Sequence, residues 1–354
     1  MTKIVNFIVI LFLFSCTSQK NNNSDYFKVT GNAQGTTYSI QYDDSLKRNF
    51  KPQIDSLLAR FDSSLSTYKS NSIISNFNNS DSGCIVDVLF IEMVGKSFEV
   101  YNLTKGSFDP SINPLLTFWG FNKEKIENLN KIDSKIIDSL LSKKGFEKLI
   151  VIQKNNQFSL SDLSYSSFKG ESFLKKPYKE FELNFNAVAQ GYSVDLISTF
   201  LKSKRVNNYM VELGGEMRVL GENVNGNNWR LGIDKPLENG EREIKAVVNL
   251  KKGGLATSGN YRKYYIKDGK KYAHTIDPKT GYPVTHNLLS ATVISDECWM
   301  ADALATACMV NGIEWSKSLP EKLKNCEVYL IYNEGKEMKS FASNAEKWQL
   351  EEIN

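Results

Sequence analysis

Between Cys298 and Cys308 an acid and a hydroxyl, Asp302 and Thr306, stand in otherwise apolar company of Trp, Met, Ala, Leu and Cys. Read as a buried helix, this stretch sets the two polar residues four positions apart and so one above the other, about 5–6 Å apart at Cβ. The helix contains no Lys or Arg. A carboxylate there must be paired, protonated or bound to a cation, because an uncompensated buried charge costs several kcal/mol. One reading is a pair of hard oxygen ligands for Mg²⁺, which takes one or two protein carboxylates and leaves its other positions to water and phosphates. The other is structural: Asp302 caps a neighbouring loop and Thr306 bonds back to its own helix. There are only two histidines, His274 and His286, which narrows the search for a general base near neutral pH. His274 stands close to Asp277 and Thr280, whereas His286 stands apart, and a structural role is open for both.

The elements that would position these groups follow from the pattern. Val29 to Tyr42 alternates β-formers around a turn at Gln34-Gly35-Thr36-Thr37, predicting a hairpin or two short strands. Apolar positions Ile54, Leu57, Leu58, Phe61 and Leu65 have helical spacing, and a second helix is expected over Val86 to Leu103, stopped by Lys105-Gly106. Two prolines exclude a regular helix from Ser107 to Phe121; so many aromatics make this loop either a packed connection or the wall of a pocket for a flat ligand. A short helix over Ser134 to Lys143, a hairpin over Lys148 to Leu160 turning at Asn155-Asn156, and a polar, Lys-rich surface insertion over Ser161 to Glu180 follow. Phe181 to Ser203 reads as strand, turn and helix, with small residues at Asn186 to Tyr192 that let a ligand approach the backbone. Tyr209 to Leu220 reads as two buried strands broken by a glycine bulge at Gly214-Gly215. Strands are expected at 229–233, 246–250 and 289–294, and a hairpin joins 262–266 to 271–275 through Asp268-Gly269. The helix carrying Asp302 then completes the body. With no internal repeat and no linker, the expectation is one α+β body over 26–354, built on a mixed or antiparallel sheet with flanking helices.

Composition is that of a globular protein: 354 residues, 41% hydrophobic and 24% charged. A net charge of +4, without a Lys/Arg run interleaved with aromatics, argues against nucleic acid but leaves an anionic small molecule open. The G-x-S-x-G elbow, H-E-x-x-H, zinc-spaced Cys pairs, the P-loop and G-x-G-x-x-G are all absent.

Residues 1–16 read as a signal peptide: Lys3, an apolar run from Ile4 to Phe14, then Ser15 and Cys16. The ending Leu13-Phe14-Ser15-Cys16 resembles a bacterial lipobox, in which Cys16 would be lipidated and hold the body to a membrane outside the cytoplasm. The polar residues 17–25 would be a flexible tether. Cys84, Cys298, Cys308 and Cys326 read mainly as small buried hydrophobes; Cys298 and Cys308, ten apart on one helix, cannot bridge each other.

Taken in order, Gly35-Thr36-Thr37-Tyr38, Ser66-Thr67-Tyr68, Gly106-Ser107-Phe108-Asp109-Pro110, Trp119-Gly120-Phe121, Ala187-Val188-Ala189-Gln190-Gly191-Tyr192, Glu212-Leu213-Gly214-Gly215-Glu216, Thr257-Ser258-Gly259, His274-Thr275-Ile276-Asp277-Pro278 and the 301–307 stretch resemble the ApbE family. The resemblance runs from Gly35 to about Ala307. It implies a Mg²⁺-dependent FAD:protein FMN transferase, which cuts the FAD pyrophosphate, attaches FMN through a phosphoester to a partner's threonine hydroxyl and releases AMP. Partners would include subunits of Nqr- and Rnf-type electron-transport complexes; some relatives hydrolyse FAD to FMN and AMP. By the same resemblance, the metal would be held by Asp302, Thr306 and a main-chain oxygen of Ala187. Flavin contacts would fall on Gln34, Tyr68, Ser107, Phe108, Asp109, Asn184, Gln190 and Ile276. His274 would be the base that activates the acceptor hydroxyl. A flavin-binding lipoprotein without activity is the non-enzymatic alternative.

Overall fold

The computed structural model describes residues 26–122, 133–237, 241–260, 264–267 and 270–353. In chain order, the first part contains β1 (Tyr26–Ala33), β2 (Thr36–Asp43), α1 (Lys51–Leu65), α2 (Ile73–Asn79), β3 (Gly83–Val86), α3 (Val88–Leu103), α4 (Asn113–Phe118) and α5 (Ser134–Ser142). The middle contains β4 (Ile150–Gln153), β5 (Asn156–Ser159), β6 (Ser172–Lys175), α6 (Ala189–Ser203), β7 (Tyr209–Leu213), β8 (Glu216–Leu220), β9 (Trp229–Asp234), β10 (Ile244–Leu250) and β11 (Lys252–Gly259). Then come β12 (Tyr264–Lys267), β13 (Lys270–Ala273), β14 (Leu288–Ser295), α7 (Cys298–Asn311), α8 (Ile313–Lys317), α9 (Leu319–Lys322), β15 (Glu327–Glu334), β16 (Glu337–Ala342) and β17 (Glu351–Glu352).

The fold is α+β, and every described strand pair is antiparallel. An eight-stranded sheet, ordered β1-β2-β7-β8-β11-β14-β15-β16, is the spine. Alternation decides its faces. In β2 the residues Tyr38, Ile40 and Tyr42 are buried, and with Val211 and Leu213 they pack on Ile54 and Leu58 of α1 and on Val194, Ile197 and Leu201 of α6. On another face, Val219, Leu255, Ile294, Tyr329 and Ile331 meet Leu231, Ile233 and Val248 of the small β17-β10-β9 sheet. The largest core joins β14 and β15 through α7 to α3 and to the four-stranded β3-β6-β4-β5 sheet. Helix α7 is therefore buried over most of its circumference, as its predominantly apolar sequence requires.

Two devices set the position of α7. Its cap residue Glu297 makes no side-chain cap bond. Asp195 of α6 does so instead, accepting from the amides of Cys298 (3.1 Å) and Trp299 (2.8 Å) and pairing with the Arg218 guanidinium. Burial raises the Asp195 carboxyl while Arg218 and the two amides pull it down. At the far end Gly312, at φ +79°, returns its amide to Cys308 O at 2.9 Å.

Five sequence expectations are corrected. Ser107 to Phe121 does contain a helix, α4 (Asn113–Phe118), because Pro114 falls in its first turn, where a missing amide costs no hydrogen bond. Phe181 to Phe185 is not a strand: the side-chain amide of Asn78 takes the strand partner's place, donating to Leu183 O and accepting from Leu183 N, both at 2.8 Å. Gly214-Gly215, at φ +69° and +113°, is the turn of a β7–β8 hairpin and not a bulge, because the register pairs Leu213 with Glu216. The 161–180 stretch is more than a surface insertion, since β6 lies inside the four-stranded sheet with Leu174 fully buried. The body also continues past α7: β15 pairs with β14 and extends the main sheet, followed by β16. The predicted turn at Asp268-Gly269 lies outside the described residues, although β12 and β13 on either side of it do pair. Cys298, Cys308 and Cys326 are buried free thiols and Cys84 is a half-buried one. Among the described residues no helix is long and apolar enough to cross a membrane.

Candidate active site

A cavity of about 380 Å³ opens where α7, the start of α6, the β7–β8 turn, the end of β11 and the loops after α3 and β13 converge. That volume lies within the range of small-molecule sites. Asp302 and Thr306 face it from α7, Ala187 and Gln190 from the entry to α6, and Ser107, Phe108 and Asp109 from the loop after α3. Asn184, His274 and Ile276 complete the wall, and Tyr68, 69% exposed, stands at the rim. Gln34 is the exception. It sits at φ +51° in the β1–β2 turn and donates through Nε2 to Ser193 Oγ at 2.5 Å, off the cavity wall. Cys16 lies outside the described residues.

The acid on α7 is held as well as buried. Asp302, 6% exposed, accepts the amide of Gly191 at Oδ2 (3.0 Å), and Thr306 Oγ1 lies 3.2 Å from Ser258 Oγ. Opposite it stands an acid to which the sequence assigned no role. Glu216, 7% exposed, also lines the cavity, and its Oε2 has no hydrogen-bond partner. Among the described residues neither carboxylate forms an ion pair with Lys or Arg. Burial raises both carboxyls, and the charge of Asp302 raises Glu216 further. The signal for Glu216 was present in the sequence: an acid directly after a Gly-Gly turn enters its strand at the mouth of the hairpin.

Around this acidic floor the walls are polar on one side and apolar on the other. Asp109 accepts the amide (2.9 Å) and hydroxyl (2.6 Å) of Ser111 and lies 3.7 Å from Lys144 Nζ, yet burial outweighs these and raises its carboxyl. Ser107 Oγ donates to Asn311 Oδ1 at 2.9 Å, tying the loop to the end of α7. Asn184 is held between Asn113 Oδ1 and the amide of Asn186, each at 2.9 Å. The apolar wall is Ile112, Leu116, Phe121 and Ile276. The aromatic loop is both a packed connection and part of the cavity wall: Phe121 faces the cavity, whereas Trp119 is fully buried and donates to Gly281 O at 2.8 Å. That bond joins the loop to the turn after His274, where Gly281 N reaches Asp277 O (2.8 Å) and Asp277 N reaches Tyr282 O (2.9 Å). His274 meets the edge of Phe121, with ring centroids 6.4 Å apart at 73°. His286 is elsewhere, its Nε2 against Met309 O at 2.7 Å, and burial lowers its pKa.

Among the described residues no three His, Cys, Asp or Glu side chains cluster as a metal site. The donors at the cavity floor suit a different kind of cation: buried carboxylates lacking a counter-charge beside hydroxyls and main-chain oxygens, the set a hard divalent ion takes. Mg²⁺ fits the residues present.

Residues 34–330 match the ApbE family. The chain belongs to that family. It is 30% identical over 351 residues to the FAD:protein FMN transferase of Escherichia coli (strain K12), a match covering 97% of this chain and 95% of the relative. The Haemophilus influenzae FAD:protein FMN transferase is 29% identical, over 94% of this chain and 93% of its own. Among solved structures, the flavin transferase ApbE from Vibrio cholerae superposes with a TM-score of 0.75 at 30% identity, covering 92% of this chain and 99% of the other. Within this ApbE-family fold, eight of the nine quoted sequence blocks contribute residues to the cavity wall; Gly35-Thr36-Thr37-Tyr38 does not.

Proposed function

We propose that this ApbE-family enzyme transfers FMN from FAD to a threonine hydroxyl of a target protein, with Mg²⁺, forming a phosphoester and releasing AMP. The observation that supports it is the buried Asp302 carboxylate, without a cationic partner among the described residues, in one cavity with Thr306 and His274. Asp302, Thr306 and the Ala187 main chain would hold the ion. When bound, Mg²⁺ neutralises charge on the pyrophosphate oxygens.

The chain's own residues supply the rest. His274 takes the proton of the acceptor threonine as its oxygen forms a bond to the FMN phosphorus; the bond from that phosphorus to the bridging oxygen breaks, and AMP leaves with that oxygen. Phe121 and Ile276 give the isoalloxazine an apolar wall, while Tyr68, Ser107, Phe108, Asp109, Asn184 and Gln190 orient the flavin nucleotide. Gln34 would act through Ser193 and α6. The acceptors would be Nqr- or Rnf-type subunits or similar FMN-binding domains. Cys16 would carry the lipid that holds the body at the periplasmic side of a bacterial membrane, and a Cys16→Ser variant is expected to leave the membrane fraction.

The test mixes the chain lacking residues 1–16 with FAD, Mg²⁺ and a threonine-bearing acceptor domain. The expected result is an acceptor heavier by FMN less one water, abolished by EDTA and in Asp302→Asn and His274→Ala variants that retain native circular dichroism. AMP without acceptor modification would make the chain an FAD pyrophosphatase, and intact FAD would reduce it to a flavin-binding protein.

A further inference from the structure

We infer that Glu216 is the second carboxylate of the cation site, facing Asp302 across the floor of the cavity. The inference rests on the reading of Asp302 as a metal-holding residue and adds a ligand to it. Glu216 is the first residue of β8, directly after the β7–β8 turn, and lines the same cavity as Asp302 and Thr306 of α7. Only 7% of the residue is exposed, and Oε2 is out of contact with solvent and without a donor. Its neighbour Glu212 is occupied differently, its Oε1 accepting the amide of Gly215 at 3.0 Å. Two buried carboxylates that repel each other and have no Lys or Arg partner are a poor structural motif, since each would be stabler as an apolar residue of the same size. The pair makes sense when a dication lies between them: the ion supplies the missing partner for Oε2 and offsets the repulsion. Two carboxylates, a hydroxyl and a main-chain oxygen leave two octahedral positions for phosphate or water oxygens, within the usual ligand count of Mg²⁺. The turn explains the placement, because Gly214 packs directly on the Gln190 side chain; a Cβ there would lie 2.6 Å from Nε2. A bulkier residue at 214 would move the start of β8, and Glu216 with it.

The experiment titrates Mn²⁺ into the FAD-free, EDTA-treated protein and reads free Mn²⁺ by electron paramagnetic resonance, with Mg²⁺ competition as a check. Glu216→Gln is expected to weaken Mn²⁺ binding at least tenfold, Glu216→Asp less, and Asp302→Asn to remove it. Thermal melts in EDTA guard against misfolding: Glu216→Gln should melt no lower than the parent, because it removes like-charge repulsion. Parent-like Mn²⁺ affinity in Glu216→Gln, with loss in Asp302→Asn, overturns the role of Glu216 alone. Undiminished binding in Asp302→Asn overturns the metal reading itself. Should Glu216→Gln fail to fold, Glu216→Asp carries the same comparison, and parent-like affinity in that folded variant together with the Gln variant's collapse makes Glu216 a structural residue and overturns the inference.

Discussion

Gly191 is where the structure makes a prediction opposite in sign to the one its helix would suggest. In the first turn of α6, Gly→Ala gains about 1 kcal/mol from helix propensity alone. A Cβ at Gly191, however, would stand 2.6 Å from Cys298 O and 2.8 Å from Asp302 Cβ, so α7 would have to retreat. Overpacking of this kind costs about 1–3 kcal/mol. The retreat also stretches the 3.0 Å bond from Gly191 N to Asp302 Oδ2, and a bond to a charged group contributes about 1.5–3 kcal/mol. Losing half of it and setting the propensity gain against the sum leaves a net destabilisation of about 2 kcal/mol, or roughly 3 °C in melting temperature for a chain of this length. Urea unfolding of Gly191→Ala beside the parent in EDTA measures this. The same variant should bind Mn²⁺ more weakly, because the acid it displaces is Asp302. A Gly191→Ala protein at least as stable as the parent would show that the α6–α7 contact is slack and that α6 does not fix Asp302.

Arg218→Met should cost about 3–5 kcal/mol, read as a lowered urea midpoint, because it leaves Asp195 charged and buried beneath α7 without its guanidinium. His286→Gln separates the two histidines: it lies outside the cavity and should leave flavin transfer unchanged in the acceptor-mass assay, where His274→Ala abolishes it. His286 also fixes a pH dependence. Burial holds its folded pKa below the usual 6.5, so the stability it contributes is present above that value and is lost as pH falls through 6.5 towards the folded pKa; the difference in melting temperature between parent and Gln variant should narrow over that interval. Asn78→Ala should destabilise by about 2–3 kcal/mol by stranding both backbone groups of Leu183, and should weaken FAD binding through the adjacent Asn184, read by flavin fluorescence.

What the sequence carried was local, and what it missed was supplied by partners distant in the chain. Ile54, Leu58, Phe61 and Leu65 announce α1 by spacing alone, and the run around Asp302 announces a buried helix because, Asp302 and Thr306 apart, its residues from Cys298 to Cys308 are apolar. Phe181 to Phe185 alternates like a strand, but its backbone is satisfied by the side chain of Asn78, 105 residues earlier, which no periodicity registers. The strand β15 was legible in principle, as the unbroken apolar run Val328 to Ile331 between Glu327 and Tyr332. The site divides in the same way. Residue type and spacing on one helix pick out Asp302 and Thr306, because ligand geometry and helix geometry share the four-residue step. The environment that gives Asp302 its character is set by what lies across the cavity: a second acid from β8, and no ion-pairing cation among the described residues. Such an environment is a property of three elements packed together, α6, β8 and α7. The chemistry of this fold accordingly depends on the Asp195 cap and the close approach at Gly191, which bring those elements to one point, as much as on the residues that line the cavity.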